Sequence, residues 1–106
     1  MVSPCTNAEL ARLIEQAASH QRRAAVWLRR ARNPSLGAVR LSQRHSMAMR
    51  AVEHLAAARE QLERARALAD ALELQVLLDR HLQQLDHVSE TAASFSRRLH
   101  EQALGG

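Results

Sequence analysis

Lysine and tyrosine are absent from this 106-residue chain, cysteine and tryptophan occur once each, glycine three times and proline twice. Each scarcity excludes something. A lone Cys5 can form neither an intramolecular disulfide nor a metal cage, which points to an intracellular chain with an incidental thiol. The only glycines, Gly37, Gly105 and Gly106, supply no glycine-rich phosphate loop. Trp27 and Phe95 are the only large aromatics and both fall on expected core faces, whereas single-strand nucleic-acid binders rely on aromatic platforms. No apolar run approaches the roughly 18 residues of a membrane span, and the N-terminus lacks a signal-peptide core. A cytoplasmic location is the expectation. All fifteen basic residues are arginine; beside abundant Ala and Leu this points to a GC-rich bacterial genome, and arginine bias alone does not argue for nucleic acid.

What is present is helix-forming sequence. Ala38 to Leu104 is a run of 67 residues without glycine or proline, built mostly of Ala, Leu, Arg, Glu and Gln. Two heptad series run through it. Leu41, Ala48, Leu55, Leu62, Ala69 and Val76 recur every seven residues, accompanied by Ala51, Ala58, Ala65 and Leu72. Leu78, Leu85, Ala92 and Leu99 form a second series, accompanied by Leu82, Val88 and Phe95 and displaced by two residues from the first. That displacement turns the apolar face by roughly 200°, more than a stutter absorbs, so a turn is expected between Ala69 and Leu78. Asp70-Ala71-Leu72-Glu73 has capping-box form there. The alternative is one continuous helix of about 100 Å with a partner covering both faces.

Upstream, Met1 to Cys5 reads as a disordered lead, and Thr6-Asn7-Ala8-Glu9 as a capping box opening helix 1 over residues 7–32. Its core face is Leu10, Leu13, Ala17, Ala24, Trp27, Leu28 and Ala31, with Ile14 on the flank. Asn33-Pro34 stops it. Helix 2 is expected over about 38–69, with Ser35 as a candidate cap and regular helix starting as late as Ser42; helix 3 covers about 71–104 and Gly105-Gly106 is a frayed tail. The fold class is therefore all-α, a single domain forming an antiparallel three-helix bundle or a long helical hairpin with coiled-coil-like packing.

Charge divides unevenly. Residues 1 to 50 carry a formal +7 and residues 51 to 106 a formal −3, and no acid stands between His20 and Arg50. The basic candidates for partner binding are Arg22, Arg23, Arg29, Arg30, Arg32, Arg40 and Arg44. They could meet phosphates, an acidic protein or the acids of the chain's own second half. Arg59/Glu63, Glu60/Arg64, Arg66/Asp70 and Arg97/Glu101 have i,i+4 spacing and read as a solvated face. Leu41, Ala48, Leu55, Ala58, Leu62 and Ala65 form an Ala/Leu stripe that serves either internal packing or a partner.

Chemistry is harder to find. None of the six histidines makes an i,i+4 pair with another; His20 and His81 lie on or beside core stripes, while His45 and His54 point to opposite sides of helix 2. Ser89, Thr91, Ser94 and Ser96 lie on a helix without the strained turn or oxyanion donors of a hydrolase. No metal, cofactor, small-molecule substrate or enzymatic activity is expected. The sequence points to a non-catalytic protein–protein interaction module, an adaptor, accessory or chaperone-like protein. It would dock on an acidic partner, or on further copies of itself, through the Ala/Leu stripe and the arginine-rich end. A nucleic-acid-associated protein using Arg22 to Arg50 for phosphate contact is the alternative. An amphipathic membrane-surface binder is disfavoured, because the apolar faces are needed for the bundle.

Overall fold

The computed structural model describes residues 4–32 and 41–105, with side chains from residue 7 onward. They form three helices, α1 (Pro4–Arg32), α2 (Leu41–Leu68) and α3 (Leu72–Gly105), and among the described residues there is no strand. The fold is an all-α three-helix bundle, 59 × 19 × 17 Å. His20 meets His54 and the Arg50 guanidinium lies over Trp27, so α1 and α2 run antiparallel. Arg66 reaches Asp79 and Arg59 reaches Asp86, so α2 and α3 do too. The molecule runs up, down, up.

Several boundaries differ from the sequence expectation. α1 begins at Pro4, within the expected lead and ahead of the Thr6 capping box. Proline suits the first turn of a helix, where its missing N–H leaves no bond unmade and its fixed φ is already helical. Glu9 therefore lies inside the helix, where its carboxylate pairs with Arg12. α3 continues through Gly105, one residue into the expected tail. The proposed Ser35 cap, the Gly37 region, residues 38–40 and the first three residues lie outside the described residues.

The reversal falls where the two-residue shift requires it, but its chemistry is not the expected capping box. Ala71 provides the first helical carbonyl of α3, accepting from the Gln75 N–H at 3.0 Å, and the Asp70 carboxylate accepts no hydrogen bond. Gln75 does the closing instead: its Nε2 donates to the Ala69 carbonyl at 2.6 Å, satisfying an acceptor at the end of α2. The Ala69 N–H bonds to the Arg66 carbonyl at 3.3 Å, tightening the last turn without glycine. Past the turn the first heptad series loses its face. Ala69 is buried, whereas Leu72 and Val76 are 73% and 50% exposed.

α2 is the central helix. It packs along both neighbours, while the α1 and α3 backbones hardly approach each other. Its stripe explains this arrangement. Ala51, Ala58 and Ala65, spaced by seven on the flank that carries His54, are completely buried and let α1 approach closely. Arg59 and Arg66, also seven apart, mark the opposite flank, which faces α3. Leu55 and Leu62 stand between the flanks, buried under both neighbours, and hold α1 and α3 apart. Leu13, Ala17 and Ala24 of α1 and Leu78, Leu85 and Ala92 of α3 complete this core; Ala31, Ala48 and Leu99, with half-buried Leu41, Met47 and Phe95, form a second cluster at one end.

Ala58→Leu inserts atoms where α1 leaves no room and is expected to destabilise the fold by about 1 to 3 kcal/mol in equilibrium urea denaturation. Ala56→Leu, on the exposed face of the same helix, should change stability by about 0.5 kcal/mol or less.

Candidate functional site

The up-down-up course brings the C-terminal ends of α1 and α3 to the N-terminal end of α2. Arg29, Arg30 and Arg32 occupy the last turn of α1, where cationic side chains interact favourably with the helix dipole. α2 adds Arg44 and Arg50. From α3 come Arg97, whose i,i+4 spacing suggests a pair with Glu101, and Arg98, whose place in the sequence suggests no role. Arg97 makes no ion pair with Glu101, so both reinforce the basic end. A two-helix separation in sequence hides this convergence until the hairpins are closed.

The arginines divide by what holds them. Arg44 Nε donates to the Ala31 carbonyl at 2.8 Å and so ties α2 to the end of α1; Arg44 acts as a clasp. Arg30 and Arg50 flank Trp27, with guanidinium carbons 5.3 and 4.9 Å from the ring centroid, and Arg32 lies 5.4 Å from the Phe95 ring centroid, bridging α1 to α3. Trp27 is thus only half-buried, and its ring is already occupied by cations. Arg22 pairs with Glu15 at 3.2 Å, both exposed, a contact of small energetic weight. Among the described residues no carboxylate pairs with Arg23, Arg29, Arg30, Arg32, Arg44, Arg50, Arg97 or Arg98. Arg40 lies outside the described residues.

Four acids of the second half, Glu60, Glu63, Asp79 and Asp86, are engaged along the shaft. Arg59 bonds to Glu63 and, at 2.6 Å, to Asp86, and it holds the Asp86 carboxyl below the usual carboxylate range. Glu60 pairs with Arg64 as its spacing suggested. Arg66, however, takes Asp79 of α3 at 2.8 Å and not Asp70, because α3 places a carboxylate within reach across the seam. Glu53, Glu90 and Glu101 lie toward the basic end, beside Arg50, Arg97 and Arg98, without pairing with them, and the arginines there outnumber them.

The Ala/Leu stripe is consumed by internal packing. Ala48, Leu55, Ala58, Leu62 and Ala65 are all buried between α1 and α3, and Leu41 is half-buried beside Leu99. Apolar surface remains elsewhere. A furrow runs between α1 and α3 with Leu55 and Leu62 in its floor, and it opens into two hollows of about 260 and 150 Å³. A heptad pattern does not reveal it, because a furrow between two sequence-distant helices has no single periodic signature.

Two histidine pairs form across α2. The His20 and His54 Nδ1 atoms are 3.0 Å apart, and the His45 and His100 rings lie 5.0 Å apart. The first contact requires one nitrogen to carry the hydrogen and the other to accept it, which two imidazolium rings cannot do. Among the described residues no group of three or more His, Cys, Asp or Glu side chains could hold a metal ion, and no helix is long and apolar enough to cross a membrane. No protein-family model, curated protein or solved structure matches the chain.

Burial, then His54, then Arg23 lower the His20 pKa. The folded chain thus takes up this proton less readily than the unfolded chain. Stability contributed by neutral His20 is complete above the ordinary histidine value of about 6.5 and declines as pH falls below it, until the depressed folded value is passed. Melting temperatures measured between about pH 8 and about pH 5 should fall for the wild type and fall less for His20→Gln. Equal slopes would assign the acid sensitivity to other groups.

Proposed function

We propose that this chain is a non-catalytic helical interaction module, an adaptor or chaperone-like accessory protein of the bacterial cytoplasm, whose arginine-rich end binds an acidic protein surface. The observation that carries the reading is the arginine excess at one end: arginines from all three helices gather there and outnumber Glu53, Glu90 and Glu101, none of which pairs with them, while Glu60, Glu63, Asp79 and Asp86 pair with Arg59, Arg64 and Arg66 along the shaft. Such a concentration of one charge raises encounter rates with an oppositely charged partner and penalises like-charged ones. It therefore weighs against end-to-end self-association through this surface.

Nucleic acid is the second reading, favoured by the same convergence, since guanidinium groups bind phosphates well. Its weakness is the absence of a free stacking surface: Arg30 and Arg50 flank Trp27, and Arg32 lies over Phe95. Contact would be confined to backbone phosphates and would weaken steeply with salt.

The test is affinity capture from the native host with and without nuclease, using the wild type and a variant with Arg22, Arg23, Arg29 and Arg30 all replaced by Gln. Helicity should persist and stability fall by about 1 kcal/mol or less, since these exposed side chains contribute mainly dipole and ring contacts. Partner recovery should survive nuclease in the wild type and drop by roughly tenfold or more in the variant, the combined effect of several lost charge contacts. Nuclease-sensitive recovery at physiological salt would establish the second reading, and unfolding of the variant would make the arginines structural.

A further inference from the structure

The furrow between α1 and α3 is an apolar feature that the bundle leaves uncovered. Ile14, Ala18, Ala25 and Leu28 form one wall, and Leu74, Leu77 and Val88 the other. Leu77 and Val88 are 47% and 43% exposed, although they border a continuous core, and they face small side chains on α1 that leave the space open. We propose that this furrow seats an amphipathic helix with acidic flanks belonging to the protein partner, completing a four-helix arrangement. The proposal rests on the interaction-module reading and names what that partner presents.

Spacing and charge together specify the occupant. One hollow is lined by residues 14–21 of α1 and 74–81 of α3, the other by residues 21–28 and 84–88, so their centres are displaced by about seven residues along either helix. Seven residues correspond to about 10 Å, or two turns, which is the separation of apolar anchors at i and i+7 on a docked helix. The larger hollow lies nearer the basic end. Arg29 and Arg32 follow Ala25 and Leu28 by one helical turn on α1, and Arg80 precedes Gln84 by one turn on α3, so both rims carry cations without an ion pair. Glu73 and Glu15 are the acids near the opposite end, and Arg22 engages Glu15. A helix with carboxylates beside its apolar stripe complements these rims. A second copy of this chain, furrow against furrow, would set the same arginines against one another.

The probes are two synthetic helical peptides with identical leucines at i, i+3, i+4 and i+7, one flanked by Glu and the other by Lys, titrated into the full chain and followed by backbone amide NMR. The Glu peptide should shift amides of residues 14–28 and 74–88 and bind roughly tenfold or more tightly than the Lys peptide. Ala25→Glu and, independently, Ala18→Glu should each weaken it by roughly tenfold with helicity retained, whereas Val26→Glu, on another face of α1, should not. Equal binding of the two peptides, shifts confined to other surfaces, or no binding of the Glu peptide would each overturn the proposal. Sedimentation showing self-association that Ala25→Glu abolishes would assign the furrow to a second copy and overturn it as well. Should arginine-dependent partner capture persist while the Glu peptide fails, the furrow proposal falls and the module reading stands. The converse result would retain the furrow and remove the acidic-partner role of the basic end.

Discussion

Everything in this bundle depends on how α2 shares its single apolar stripe between two neighbours. A helix of 28 residues offers one buried face, and here that face is divided lengthwise. Alanines on one flank bring α1 in close, the opposite flank reaches α3, and Leu55 and Leu62 fill the middle. Small side chains reduce interaxial distance, whereas the central leucines need volume above them, so α1 and α3 settle on α2 without closing on each other. The hydrophobic contribution of the fold, roughly 25 cal/mol per Å² of apolar surface removed from water, therefore accrues chiefly along the two α2 seams. The seam between α1 and α3 is left as a furrow.

Charge follows the same division. The α2–α3 seam is edged by Arg59–Asp86 and Arg66–Asp79, contacts that cross between helices and help fix the register of the hairpin. Exposed pairs of this kind contribute little net stability. Their consequence lies in what they remove: carboxylates engaged along the shaft are unavailable to the arginines at the end. The basic end and the apolar furrow meet where Arg32 crosses from α1 to Phe95 of α3.

Local sequence determined the helices, the stretch in which the chain reverses and the identity of the buried leucines, because all three follow from backbone propensity and from a periodicity of about 3.6 residues. The two-residue shift between heptad series places the reversal, and Leu55, Leu62, Leu78, Leu85 and Leu99 are buried as their spacing requires. The bounds were less legible. Pro4 starts α1 because the first turn tolerates its missing N–H, and Gln75 supplies the turn contact that Asp70 resembled.

Tertiary structure alone decided which residues meet across helices. The choice of Asp79 over Asp70 by Arg66, the approach of His20 to His54, the placing of Arg97 and Arg98 at the same end as the α1 arginines and the opening of the furrow each depend on the relative height and rotation of separate helices. Those two variables are set by side-chain volume at α2, where a methyl admits a neighbouring backbone and an isobutyl group excludes it. A heptad pattern records that a position is apolar on one face; how closely the next helix lies over it emerges only when all three are packed together.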